Sequence, residues 1–354
     1  AKHVQMSKSA IKTPFLRYFL LVYGAVSLQL HPLSSGHNRL SGYLRLVYNL
    51  LILLIFNWIY SLPSLSRETS LAIAFHRKPL VRLWLKAIDG AFVPLFTGLT
   101  FYSVFFGPEV ILLLDSSHFY DEHSISKRKS KLLIVCCLVF DLGTFYWSRL
   151  YVFTSSDHPI YQSGNGLARV KLLMQLIAHM RAAVFFRLLT YGKWATWQSL
   201  KRLKMSSEKE FSADKRKLRH LVRFNKRLNL LLSFPLLVQI LFFSVISIWT
   251  ICFNELFSVR QAIFFLLPAV NILLVDLFSK RIINELKAKL LKISAQIKVS
   301  FLAKNRLSYW QQAVDIYSAD FHFTLFSIAK VDRQFSFTLS LLIAYYAMLI
   351  NQTS

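Results

Sequence analysis

Apolar residues along this chain gather into one short run and seven longer ones, separated by basic and polar stretches. The longer runs cover 42–62, 86–107, 131–154, 169–192, 230–253, 262–283 and 334–352. Most exceed the roughly 20 residues that a helix needs to cross about 30 Å of hydrocarbon. They lack the strict alternation of half-buried strands. Pro94, Pro235 and Pro268 lie inside three of them, which packed transmembrane helices accommodate better than water-soluble ones. The pattern predicts an all-α polytopic membrane protein, with seven transmembrane helices in a single membrane domain spanning 1–354.

The short run, Phe15 to Leu30, follows Lys2, Lys8 and Lys12 and so imitates a secretory signal peptide, which is the alternative reading. Arg17 interrupts it and His31-Pro32 stops it. A membrane-embedded amphipathic helix over 13–30 is therefore expected.

Orientation follows from the connecting segments. The 193–229 segment carries twelve Lys and Arg against Glu208, Glu210 and Asp214, and 284–333 is again basic. By contrast, Ser155 to Ala168 has no Lys or Arg, and Asn254 to Gln261 has only Arg260. Basic loops stay on the cytoplasmic side. The amino terminus is then cytoplasmic and the carboxyl terminus extracellular. The connection holding Arg67, Arg77, Lys78, Arg82 and Lys86 opposes this orientation, although Val81 to Leu85 can extend the second helix. The segments 193–229 and 284–333 have helical apolar spacing, so helices are expected to continue beyond the bilayer as cytoplasmic anchor segments.

Composition agrees. The apolar set makes up 55% of the 354 residues and mean hydropathy is +0.43, high for a water-soluble protein. A formal net charge of +26 raises the idea of nucleic acid. No recognition motif accompanies it, and its location between apolar runs fits anionic lipid instead. Three cysteines, Cys136, Cys137 and Cys252, all within apolar runs, offer no disulfide framework.

Charged residues deep in a membrane need a partner or a cavity. Asp141 lies ten residues into the third span from its basic end, and Arg181 twelve residues into the fourth from its other end, roughly 15 and 18 Å deep. Antiparallel neighbours would bring them level, so a polar contact between them is expected, with His179 beside a ligand cavity. Tyr146, Trp147, Tyr151 and Trp249 are candidate walls of that pocket. A buried pair that only orders helix packing, and an interfacial aromatic girdle, are the bland alternatives. Asp115, His118, Asp121, Glu122 and His123 bring metal-ligating types together but fit no ligand spacing, so no metal or other cofactor is expected. No catalytic motif appears, and an enzyme is not expected.

The final run ends with Tyr345-Tyr346, then Ala347 to Asn351, then Gln352-Thr353. This resembles the insect gustatory receptors, whose seventh helix carries Thr-Tyr, five hydrophobic residues and Gln-Phe. Tyr346 and Gln352 match; Tyr345 and Thr353 depart, and Asn351 is polar within the apolar stretch. FHFTLFSIAKVDRQFSFTLSLL, from Phe321 to Leu342, and FNKRLNLLLSFPLLVQIL, from Phe224 to Leu241, look like the family's leads into its seventh and fifth helices. The resemblance implies a tetrameric ligand-gated non-selective cation channel in the plasma membrane of sensory neurons. Its ligand would be a small tastant or pheromone-like molecule, and its subunits identical or related receptors. It also implies a pore formed by the seventh helices and an outward-opening pocket between the second and sixth. Helical repeat puts Tyr345, Met348 and Gln352 on one face, the expected pore lining. A G-protein-coupled receptor, a transporter or a membrane enzyme are the alternatives.

Overall fold

A computed structural model describes residues 13–23, 39–61, 79–116, 127–145, 166–203, 208–253, 259–296, 308, 311–312, 314–315 and 317–352. These residues are helical except for short connections and one two-stranded hairpin. The helices are α1 (Pro14–Val22), α2 (Arg39–Ser61), α3 (Pro79–Ser116), α4 (Lys127–Phe145), α5 (Gly166–Lys201), α6 (Glu208–Phe253), α7 (Val259–Gln296) and α8 (Arg333–Gln352). Strands β1 (Thr324–Leu325) and β2 (Ala329–Lys330) lie just ahead of α8.

Pro94 and Pro108 lie inside α3 and Pro235 inside α6. Hydroxyl groups on α3 and α5 donate back one turn: Thr100 to the Phe96 carbonyl at 2.9 Å, Ser103 to Leu99 at 2.7 Å, Thr190 to Phe186 at 2.8 Å. Such bonds satisfy a hydroxyl where no water is available.

One core joins α1, α3, α4, α5, α6 and α7 around Phe19, Leu114, Ile134, Leu188, Leu232 and Ile272. A β-carbon at Gly192 would collide with Leu228, so glycine there permits the close approach of α5 to α6. Helix α1 does not merely lie against the bundle surface. Phe15, Leu16, Phe19, Leu20 and Tyr23 are all buried in this core, and the Phe15 ring stacks on Tyr191 with centroids 3.9 Å apart. Thr13 fixes its start, donating through its N–H (2.9 Å) and its hydroxyl (2.8 Å) to Asp115 at the end of α3. Residues 24–30 of the expected amphipathic segment lie outside the described residues.

A second core forms where α5, α6 and α7 run on past the first, from Leu200, Leu203, Leu218, Leu221, Ile282, Leu286, Val314 and Phe321. Helix α6 has 46 residues, about 70 Å at 1.5 Å per residue, more than twice a hydrocarbon core. Helix α2 packs on α3 through Phe56 and Phe96 while Leu44, Val47, Leu51, Leu54 and Trp58 face outward. Among the described residues, Val93–Asp115 is the stretch long and apolar enough to cross a membrane by length and composition.

Candidate functional site

Helix α8 owes its start to Asp332, whose carboxylate accepts the Phe335 N–H at 3.0 Å and meets the Lys330 ammonium at 3.2 Å. Partial burial works against ionisation, but the Phe335 N–H and Lys330 prevail and hold this carboxyl below the usual carboxylate range. Asp332→Ala is expected to lower stability by about 1 kcal/mol and Asp332→Asn by much less, measured as the thermal midpoint of the solubilised protein. A depressed carboxylate pKa stabilises the fold above the unfolded value and loses that contribution as pH falls through the folded value. The two variants should therefore have flatter acid profiles than the parent.

Along α8, Ser336 and Ile343 are buried and Leu339 partly so, forming a single stripe against the rest of the chain. Tyr345 is 59% exposed and Met348 62%, and Gln352 is also exposed. By helical repeat these three lie opposite the buried stripe. Tyr346 is exposed on the flank between the two faces.

The lead into α8 docks on α6. Asn225, Asn229 and Ser233 recur every fourth residue on one face of α6 and donate to the carbonyls of Asp320, His322 (2.7 Å) and Thr324 (3.3 Å). The Ser233 hydroxyl also accepts the Phe326 N–H at 3.0 Å. Lys193 of α5, fully buried, donates to the Phe321 carbonyl at 2.8 Å, and burial pushes its ammonium pKa well below the ordinary lysine range. These contacts take up the carbonyls ending the helical turn 317–321, which would otherwise lack partners. They also hold the hairpin turn, where Phe326 and Ser327 take positive φ of 51° and 61°, costly for residues with side chains. Asn225, Asn229 and Ser233 were not singled out from the sequence. Their four-residue spacing across the junction of the basic segment 193–229 and the apolar run 230–253 is the signal that could have found them.

The expected contact between Asp141 and Arg181 is not made. Asp141 instead pairs with Arg187, six residues on along α5. Arg187 Nη2 reaches Asp141 Oδ1 at 2.5 Å and its Nε reaches Oδ2 at 3.2 Å, while Tyr23 Oη donates to Oδ2 at 2.7 Å. Arg187 Nη1 continues to Asn271 Oδ1 at 3.3 Å. The network thus ties α1, α4, α5 and α7 together. The reason is helix offset: Asp141 and Arg187 stand equally far in residues from the basic ends of their helices, Lys127 and Lys201, whereas Arg181 stands well beyond.

Arg181 turns towards α2 and α3 instead. Its Nη1 donates to Thr100 Oγ1 at 2.9 Å and its Nη2 to Asn49 Oδ1 at 3.0 Å, beside the Phe96 ring. It is fully buried, and among the described residues its Nε has no hydrogen-bond partner. His179 and Trp249 lie on α5 and α6, but their side chains are outside the described residues, as are Tyr146, Trp147 and Tyr151 altogether. So are His118, Asp121, Glu122 and His123; among the described residues no cluster suited to a metal occurs.

No protein-family model and no curated protein matches the sequence. A solved structure does match by fold: the insect olfactory receptor OR5 from Machilis hrabei, determined in complex with eugenol. The TM-score is 0.62 at 11% identity, covering 96% of this chain and 99% of that one. The likeness extends over nearly the whole of both chains, so this all-α protein has the fold of an insect chemosensory receptor.

Proposed function

We propose that this chain is a subunit of a ligand-gated, non-selective cation channel of the chemosensory kind, lying in the plasma membrane with α8 lining a central pore. The observation that carries this is the surface of α8. A helix so apolar, buried along one stripe only and exposed at Phe337, Leu341, Tyr345 and Met348, is costly in water. Lipid and three further copies, or related subunits, would cover it. Tyr345, Met348 and Gln352 would then face the axis, combining an apolar constriction with a polar mouth. The fold likeness, and the eugenol held by that relative, support a small organic ligand here. The sequence resemblance favours a taste receptor. A G-protein-coupled receptor would need the opposite orientation of its ends.

Ligand binding would shift a closed-to-open equilibrium by its differential affinity for the two states. Cysteine substitution tests the pore directly. In cells giving ligand-evoked currents, Met348→Cys and Gln352→Cys channels are expected to lose most of their current to a cationic thiol reagent. Ile343→Cys, on the buried stripe, is expected to stay at the parent's level. If positions 348 and 352 prove inert in both open and closed channels, α8 does not line the pore.

A further inference from the structure

Where α5 meets α7 near their basic ends, the Trp197 and Phe278 rings approach with centroids 6.4 Å apart. Two cations converge on them. Lys201 Nζ stands 4.1 Å from the Trp197 centroid, and the Arg281 guanidinium stands 5.2 Å from Trp197 and 5.6 Å from Phe278. Both cations are exposed, and their side chains make no ion pair or hydrogen bond among the described residues. The carboxylates nearby face other lysines: Asp276 meets Lys280 at 2.6 Å, and Glu285 lies 4.0 Å from Lys289. Lys289 in turn donates to the carbonyls of Lys201 (3.2 Å) and Leu203 (2.8 Å), pinning the end of α5 to α7.

Two like charges gathered on one indole repel each other, and an anion placed between them would offset that repulsion. The cluster also lies at a telling depth. Trp197 falls just beyond the apolar run 169–192, and Arg281 in the last turn of the run 262–283. Tryptophan rings settle at the headgroup level of a bilayer, and long cationic side chains extend to the same plane. A guanidinium fork suits phosphate oxygens, an ammonium adds a point charge, and the two rings offer an apolar wall to glycerol and upper acyl carbons.

We propose that Trp197, Lys201, Phe278 and Arg281 form a binding site for a phosphoanion, presented by the phosphorylated headgroup of an anionic lipid in the leaflet at the basic end of the bundle. The site rests on the membrane reading above and is independent of the pore. It gives the channel a contact through which lipid composition would bias α5, the helix that also carries Arg187 and Lys193.

The test titrates the full-length purified chain with short-chain phosphatidylinositol 4-phosphate, short-chain phosphatidylcholine and soluble inositol 1,4-bisphosphate, reading bound ligand by native mass spectrometry. Lys201→Gln with Arg281→Gln is expected to weaken the phosphoinositide about 30-fold, at about 1 kcal/mol for each cation, and to leave phosphatidylcholine unchanged. Arg216→Gln with Lys217→Gln, exposed on α6, is expected to change little. Equal weakening by both pairs, or none by the first, would overturn the site. Inositol bisphosphate binding as tightly as the lipid, and lost with the first pair, would keep the phosphoanion site but assign it to a soluble ligand. Release of the chain from membranes by alkaline carbonate would refute the membrane reading itself, whereas a retained chain with unaltered lipid binding would refute this site alone.

Discussion

Arg187→Ala is expected to destabilise the protein by about 3–5 kcal/mol, the usual cost of leaving one member of a buried ion pair alone. Asp141 would keep only Tyr23 among the partners described above, in a core where few polar groups can replace a guanidinium. The Phe140 ring, 5.0 Å from that guanidinium, would lose its cation as well. The thermal midpoint in detergent should fall by roughly 10 °C. Arg187→Lys should lie between parent and Ala, since an ammonium keeps the charge but not the two-pronged geometry. Asp141→Asn combined with Arg187→Gln should recover part of the loss, because no uncompensated charge remains buried. A midpoint for Arg187→Ala indistinguishable from the parent would show that the pair does not hold these four helices together.

Lys193→Met is expected to cost about 1–3 kcal/mol, because the Phe321 carbonyl would be left without its donor. On the channel reading proposed above, its larger effect should be on gating. Arg187 and Lys193 lie six residues apart on α5, about 9 Å along the axis. One helix therefore carries both the buried ion pair and the contact to the lead into α8. Met fills the space without the hydrogen bond, so Lys193→Met channels should reach the surface yet need about ten times more ligand for half-maximal current, a loss of about 1.4 kcal/mol in coupling. The variant should also change the pH profile. A lysine held below its ordinary pKa by burial penalises the folded state at neutral pH, and that penalty lifts as pH rises towards the ordinary lysine range. The parent should thus gain stability on alkalinisation relative to Lys193→Met. Identical dose–response curves for variant and parent would remove Lys193 from the gating path.

Much of this was legible in the residues themselves. Apolar runs too long for a soluble core, and the clustering of Lys and Arg between them, are properties of consecutive positions. So is the repeat that put Tyr345, Met348 and Gln352 on one face of α8. Two quoted stretches, Phe224 to Leu241 and Phe321 to Leu342, turned out to touch, since Asn225, Asn229 and Ser233 hold the backbone of 320–326. The sequence hinted at that contact only through the spacing of three small polar side chains.

The pairing of Asp141 was not legible. Hydropathy ranks Arg181 as the deeper and more anomalous cation, whereas Arg187 lies near the basic end, where cations are ordinary. Partner choice depends on how far α4 slides along α5 and how each helix is rotated. Both are fixed by the summed packing of many side chains, Tyr23, Phe140 and Asn271 among them, and by no local pattern. The sequence alone determined the helices, their apolar surfaces and the charge at their ends, because these depend on neighbours within a turn or two. Only the tertiary structure decided that Arg187 neutralises Asp141, that Lys193 is sealed against Phe321, and that Lys201 and Arg281 meet at one indole. The Arg187–Asp141, Lys193–Phe321 and Arg281–Trp197 contacts join residues 46 or more positions apart, and such distances in sequence are closed by packing rather than by local preference.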